Sequence, residues 1–247
     1  MVRDLKVRYK KSVLGFLWSL LNPLLMMVVF TVVFTILTVP NIDNFPVFVL
    51  TGLVAWNFFA ASITGAVHTI AGNATLINKV YFPRELLPAS LVFSNLVNFL
   101  LTLVVLFGFI VAFEIELTAT VLWLPAIVAV ELMLALGIAL IVSAVNVFYR
   151  DVSVLLEVGV TAWFFLTPIF YQLERIPQSI SFLGIDVWRW VYMLNPMASI
   201  VTDYRYVLLY GLPPIKHTAF ALAESLLVLA VGYWLFRTLS PRFSEEL

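Results

Sequence analysis

The chain reads as an all-α integral membrane protein, with six transmembrane helices, an amphipathic interfacial helix before them, and short re-entrant or external helices between spans five and six. Three observations carry this reading. Apolar runs recur along the 247 residues, each near the roughly 20 residues needed to cross about 30 Å of hydrocarbon. Hydrophobic residues make up 63% of the chain and charged residues only 11%, whereas a soluble domain of this size is about 25% charged. The cations that flank short connections gather on alternate sides of the runs, as the positive-inside rule requires.

The first element is residues 3–23, RDLKVRYKKSVLGFLWSLLNP. On a helix, Leu5, Tyr9, Val13, Phe16 and Leu17 share one face, and Arg3, Lys6, Arg8, Lys10 and Lys11 occupy most of the rest. Such a helix lies in the membrane interface with its basic side in water beside anionic lipid. Trp18 sits where an interfacial aromatic is expected. A secretory signal would instead pair a short apolar core with a small-residue cleavage site, and none is evident. Asn22-Pro23 restarts the chain, since Asn is a favoured N-cap and Pro a favoured first helical residue.

Span one then covers 23–39, with 40–44 as its turn. Span two covers 46–67, span three 86–113, span four 118–145, span five 152–171 with Pro168 interrupting it, and span six 217–236. The stretches 187–194 and 198–209 are each too short to span at about 1.5 Å per residue. Asn195-Pro196 repeats the cap-plus-proline start between them. They read as two short helices that dip into the outer face or lie on it, tolerable only where buried in protein or facing water.

Charge fixes the orientation. Arg3, Lys6, Arg8, Lys10, Lys11, Lys79, Arg84, Arg150, Arg237 and Arg242 fall in segments assigned to the cytosol. The turns 40–45 and 114–117 hold no cation and carry Asp43, Glu114 and Glu116, while the remaining four cations lie in 173–216, a long external segment to which the rule applies weakly. Both termini are then expected in the cytosol, and residues 1–247 form one transmembrane domain.

Composition excludes several classes. Zero net charge argues against nucleic acid. There is no cysteine, and the two histidines, His68 and His217, lie far apart, so thiolate chemistry is excluded and a histidine metal site is not expected. No G-x-x-x-x-G-K-[ST] loop, G-x-S-x-G or H-E-x-x-H occurs. The chain has no catalytic residues to offer, and energy for active transport would come from another chain or an ion gradient.

Several segments have both a functional and a bland reading. In 73–88, NATLINKVYFPRELLP, Asn73 can cap a short helix with Leu76, Ile77 and Val80 on one face and Asn78 and Lys79 on the other, until Pro83 stops it. That suits helix-in-groove docking, and equally an ordinary interfacial connector. Arg150 and Asp151 could face a partner protein or pair with each other. Glu131 in span four and Glu224 in span six lie at bilayer depth, where a carboxyl faces a water path, relays protons, or sits neutral and hydrogen-bonded between helices.

The strings RDLKVRYKKSVLGFLWSLLNP, VYFPRELLP, NVFYRDV and LNPMASIVTDYRYVLLYG, spread in order over residues 3 to 211, resemble the membrane subunits of type-2 ABC exporters in the polysaccharide and polyol-phosphate branch. That resemblance implies a homodimer of this chain with two copies of a separate ATPase, which would hold ATP and Mg; no cofactor is expected on this chain. It places Asn73, Leu76, Ile77, Asn78, Lys79, Arg150 and Asp151 at the ATPase contact. It assigns the lipid carrier's entry to the amino-terminal helix, with Arg3, Lys6, Arg8, Lys10, Lys11 and Trp18. The substrate would be a lipid-linked polysaccharide crossing the bacterial inner membrane. Sugar rings stack on aromatic faces, so Trp56, Phe58, Phe59, Phe164, Phe165, Tyr171 and Tyr192 are candidates for the path, with Glu131. Lipid contact or core packing is the commoner fate of any one aromatic. A teichoic-acid or drug exporter remains open, as does a stand-alone proton-coupled carrier, although no internal repeat is evident.

Overall fold

The computed structural model describes residues 21, 24–29, 32–33, 42–79, 82–172, 181–182, 185–186, 194–214 and 218–246. Among these are eight α-helices: α1 (Phe45–Ala66), α2 (Ala74–Lys79), α3 (Leu86–Ala112), α4 (Leu124–Phe148), α5 (Val152–Leu166), α6 (Pro196–Leu208), α7 (Thr218–Leu239) and α8 (Phe243–Glu246). The only other regular pairing described is a minimal antiparallel hairpin, β1 (Ser181–Phe182) on β2 (Ile185–Asp186), with Ser181 opposite Asp186. Residues 24–29 are helical and seat Met27 in the core. The predicted interfacial helix, with Arg3, Lys6, Arg8, Lys10, Lys11 and Trp18, lies outside the described residues, as does most of span one. The aromatic segment 187–193 lies outside them too.

Among the described residues, four helices are long and apolar enough to cross a membrane: α1, α3, α4 with the turn before it, and α7 with the segment after it. They match spans two, three, four and six. Chain direction alternates along α1, α3 and α4, and α7 runs parallel to α4, so one end of the bundle carries α2 and α8 and the other carries α6. At 15 residues, α5 reaches only about 22 Å. It stops at Leu166 rather than continuing to Tyr171. Thr167 takes an extended conformation (φ −91°, ψ 134°) because the residue before a proline is driven out of the helical region, and Pro168 has no N–H to continue the ladder.

The helices differ in burial. In α1, 16 of 22 residues are buried; in α7, only Ala221, Ser225, Gly232 and Phe236 are; in α5, none is. The central helix is therefore α1, flanked by α3, α4 and α6. The outside of the bundle is as apolar as its inside. Val104, Val111, Leu155, Leu227 and Trp234 are each 64–70% exposed. Such a girdle would aggregate in water and is at rest in lipid.

The tightest crossing is α4 on α7. A Cβ built on Gly137 would lie 2.7 Å from the backbone of Val228 and Leu229, and one on Gly232 would strike the Gly137 carbonyl. Two glycines thus bring the backbones together, as small residues do where lipid removes the hydrophobic drive and close packing must hold helices. We expect Gly232→Ala to destabilise the bundle by about 1–3 kcal/mol, the usual cost of overpacking, seen as a lower melting temperature in detergent. Gly159→Ala, on α5 with open space around it, should be neutral or stabilising by up to about 1 kcal/mol through helix propensity. Equal melting temperatures for the two variants would contradict this packing.

Candidate functional site

The α6 end is built around the break that follows α5. Ending a helix at Leu166 leaves carbonyls that need donors, and two side chains of the α6 segment supply them. Asn195 caps α6, its Oδ1 accepting from the Ala198 N–H at 3.2 Å. The same oxygen accepts from Trp163 Nε1 at 2.7 Å, and its Nδ2 donates to the Leu166 carbonyl and Thr167 Oγ1, both at 3.2 Å. Arg205, 3% exposed, donates from Nη1 to the Pro168 carbonyl at 2.5 Å and from Nη2 to the Ile169 carbonyl at 2.7 Å. Its guanidinium also reaches the Phe48 carbonyl at 3.4 Å and lies over the Phe48 ring, 3.5 Å from its centroid. Gly52 makes room, since a Cβ there would sit 2.8 Å from Nη2. A planar five-donor fork suits this task and an ammonium does not.

The remainder of α6 is held equally closely. Of its 13 residues, 12 are buried. Tyr204 donates to Glu131 Oε2 on α4 at 2.6 Å. The Thr218 hydroxyl at the start of α7 donates to Asp203 at 2.6 Å, and Thr120 donates to the Val207 carbonyl at 3.0 Å. Glu131 is fully buried, so its carboxyl lies between helices of this chain and not on an open surface. Glu224 is half-buried on α7.

The expected path aromatics divide into two groups. Trp56 and Phe59 on α1 face α5, with ring centroids 5.5 Å from Phe164 and 5.1 Å from Trp163. Phe164 continues to Phe165 at 5.3 Å and Phe170 at 5.4 Å. Phe58 points the other way, 5.1 Å from Phe99 on α3. Trp56, Phe58 and Phe59 are buried within this chain, Tyr171 is half-buried, and Phe165 is 66% exposed. Tyr192 lies outside the described residues. An apolar groove of about 300 Å³ separates α5 from α1 and α4.

The α2 end carries the expected docking segment. Leu76 and Ile77 part company here. Leu76 is 42% exposed, while Ile77 is 5% exposed and joins Leu140, Ala144, Phe236 and Phe243 in a second apolar cluster. Asn73 lies in the 3-10 turn before α2, and its Nδ2 donates back to the Thr69 carbonyl at 2.8 Å. Lys79, Arg150 and Asp151 are exposed; Asn78 belongs to α2, and its side chain is not among those described. Arg84 donates to the Ser240 carbonyl and to Ser244 Oγ, tying the loop after α2 to the chain after α7. Asn146 Nδ2 donates to the Val67 carbonyl at 2.9 Å, which joins the end of α4 to the end of α1. Among the described residues no three His, Asp or Glu side chains gather as metal ligands would.

Asn195, Tyr204 and Arg205 carry more of this geometry than the residues singled out from sequence. The signal was present, because Asp203-Tyr204-Arg205 places two charges in an apolar stretch too short to span. We expect Asn195→Ala to cost about 2–3 kcal/mol, combining a lost cap with an unpaired indole N–H, read as a lower melting temperature. Asn195→Asp keeps both accepting contacts and loses only the donors, so it should fall between. An alanine variant that melts like the wild type would remove Asn195 from this role.

Comparison with known proteins gives the chain a family. A family model described as ABC-2 type transporter matches residues 1–209. An O-antigen export system permease protein of Myxococcus xanthus is 35% identical over 246 residues, covering 99% of this chain and 92% of the relative. Its counterpart in Klebsiella pneumoniae is 32% identical with the same coverage. A polysialic acid transport protein of Escherichia coli is 25% identical, covering 96% and 90%. The chain belongs to the ABC-2 type transporter family.

Proposed function

We propose that this chain is the membrane-spanning subunit of an ATP-driven exporter that carries a lipid-linked polysaccharide across a bacterial inner membrane. The observation that carries it is the full-length similarity to permeases named for O-antigen export, in a chain with no nucleotide-binding loop of its own. Two copies of this chain would pair, and two copies of a separate ATPase would hold ATP and Mg. With six spans, the α2 end would lie in the cytosol with both termini, and the α6 end outside. The excess of Lys79, Arg84, Arg150, Arg237 and Arg242 at the α2 end supports that orientation.

On this reading, α2 is the element the ATPase grips. The half-exposed Leu76, with Lys79 beside it, supplies an apolar anchor and a charged rim. Arg150 and Asp151, exposed on the turn before α5, lie at the same end. The buried Ile77 fixes α2 to the bundle and does not meet the partner. The polymer would pass between copies along α5, where Phe164, Phe165 and Tyr171 are within reach. Trp56 and Phe59 back this row from inside, with Phe58 behind them. Phe165, largely exposed, is the strongest of the sugar-stacking candidates. The amino-terminal helix, with Arg3, Lys6, Arg8, Lys10, Lys11 and Trp18, would meet the lipid carrier at the cytosolic interface.

The test is to purify the tagged chain from its native membrane and measure ATP hydrolysis in the eluate. An ATPase present near equal molar amount supports the half-transporter, and a chain that elutes alone and drives ion-coupled flux in liposomes overturns it. Leu76→Asp should preserve folding and release the ATPase. Ile77→Asp should lower the yield of folded permease by burying a charge, a loss of several kcal/mol. Retention of the ATPase by Leu76→Asp would remove α2 from the contact.

A further inference from the structure

The two ends of the bundle are joined by one continuous set of stiff contacts. At the α2 end, Ile77 packs with Phe243, Phe236, Leu140 and Ala144, so α2, α4, α7 and α8 share one cluster. The Phe243 ring stands 5.4 Å from Phe236 and 6.1 Å from Phe148. Above that cluster, α4 and α7 meet backbone to backbone at Gly137 and Gly232 and cannot slide without separating. Glu131 lies six residues further along α4, about 9 Å at helical rise. Its carboxyl Oε2 accepts from Tyr204. Tyr204 is the neighbour of Arg205, which holds the carbonyls of Pro168 and Ile169 beyond the break in α5.

We infer that the Glu131–Tyr204 hydrogen bond is the joint that transmits movement of α2 to the break after α5. A buried carboxyl is a poor way to stabilise a core. An apolar pair of similar volume does so at lower cost, and Glu131 Oε1 has no hydrogen-bond partner here, which adds a desolvation penalty. What a hydrogen bond adds over apolar packing is direction. It fixes α6 in register with the α4–α7 pair, where Leu against Phe would let it slide. A second polar link, Thr218 to Asp203, ties α6 to the start of α7; the Glu131–Tyr204 contact ties it to α4 at the residue next to the α5 latch. Glu131 and Tyr204 are therefore positioning residues acting through Arg205, and neither touches the polymer.

The inference rests on the exporter reading, and the experiment separates the two. The complex of this chain with its ATPase is placed in liposomes, and polymer chains exported per ATP hydrolysed are counted. That ratio does not fall when less protein is folded, because both rates fall together. Tyr204→Phe and Glu131→Leu should each lower it at least about fivefold, the low end of typical coupling between sites. The double variant should be no worse than either, since both remove one contact. Glu131→Gln, which keeps an acceptor oxygen, should stay within about twofold, a smaller change than the low end of such coupling. An unchanged ratio in Tyr204→Phe overturns the inference, as does a double variant in which the losses multiply. If Glu131→Leu fails to assemble, Tyr204→Phe alone decides. A wild-type complex with no ATP-dependent export overturns the exporter reading and the inference with it.

Discussion

Hydrocarbon offers no hydrogen bonds, and the structure at the α6 end follows from that constraint. A helix that stops inside a membrane protein exposes carbonyls whose desolvation costs several kcal/mol each unless something donates to them. Pro168 makes the stop in α5 unavoidable. Asn195 and Arg205 make it tolerable, by donating to Leu166, Pro168 and Ile169. Everything near them is shaped by the same need. The helix carrying both donors is buried along its length, Gly52 gives up its side chain to the guanidinium, and Phe48 contributes both a carbonyl and a ring face.

A second consequence concerns what holds the helices together. Lipid tails are as apolar as leucine, so burying a leucine between helices gains little of what it would gain in water. Close approach and hydrogen bonds must supply the difference. The α4–α7 crossing uses the first, with glycine facing glycine. The α4–α6 contact uses the second, through Glu131 and Tyr204. The α1–α3 contact adds Asn95 to Ser62 at 3.4 Å. In α5, by contrast, no residue is buried and a groove separates the helix from its neighbours. Val152, Leu156 and Val160 rest against the core from one side, and its last turn is fastened by hydrogen bonds through Trp163 and the carbonyls beyond it.

Much of this was legible in the sequence, and the boundary of legibility has a physical cause. Run length marks α1, α3, α4 and α7, because an apolar stretch of that size has few other uses. Asn195-Pro196 marks the start of α6, and Pro168 the end of α5, because both are local backbone effects. Which side chain meets which was not legible. A helix that is apolar all round carries no periodicity to tell core from lipid, so the division of Phe58 from Phe59 could not be read; α2, at six residues, is too short for its pattern to say which of the adjacent Leu76 and Ile77 meets the bundle. Partners far apart in the chain are equally silent. Arg205 meets the Phe48 carbonyl across 157 positions, and Tyr204 meets Glu131 across 73. The sequence shows that Glu131 has no neighbouring cation; it does not show that a phenol takes that place.

The two kinds of contact differ in how they yield. A glycine crossing is lost only by pulling two backbones apart, which opens voids along the whole seam, and dispersion falls steeply with such a gap. A hydrogen bond to a carbonyl exchanges one partner for another at a net change of about 1.5–3 kcal/mol when the donor is charged. Water arriving with a polar substrate could replace Arg205 at Pro168 and Ile169 on those terms, and nothing comparable could replace Gly137 at Gly232. The bundle therefore combines a stiff pair, α4 with α7, and a helix, α5, whose free end is fastened by replaceable bonds. On the proposed exporter reading, an assembly that opens for a bulky hydrated polymer and closes again without unfolding would need that combination, with rigidity where force travels and exchangeable polar contacts where the wall parts.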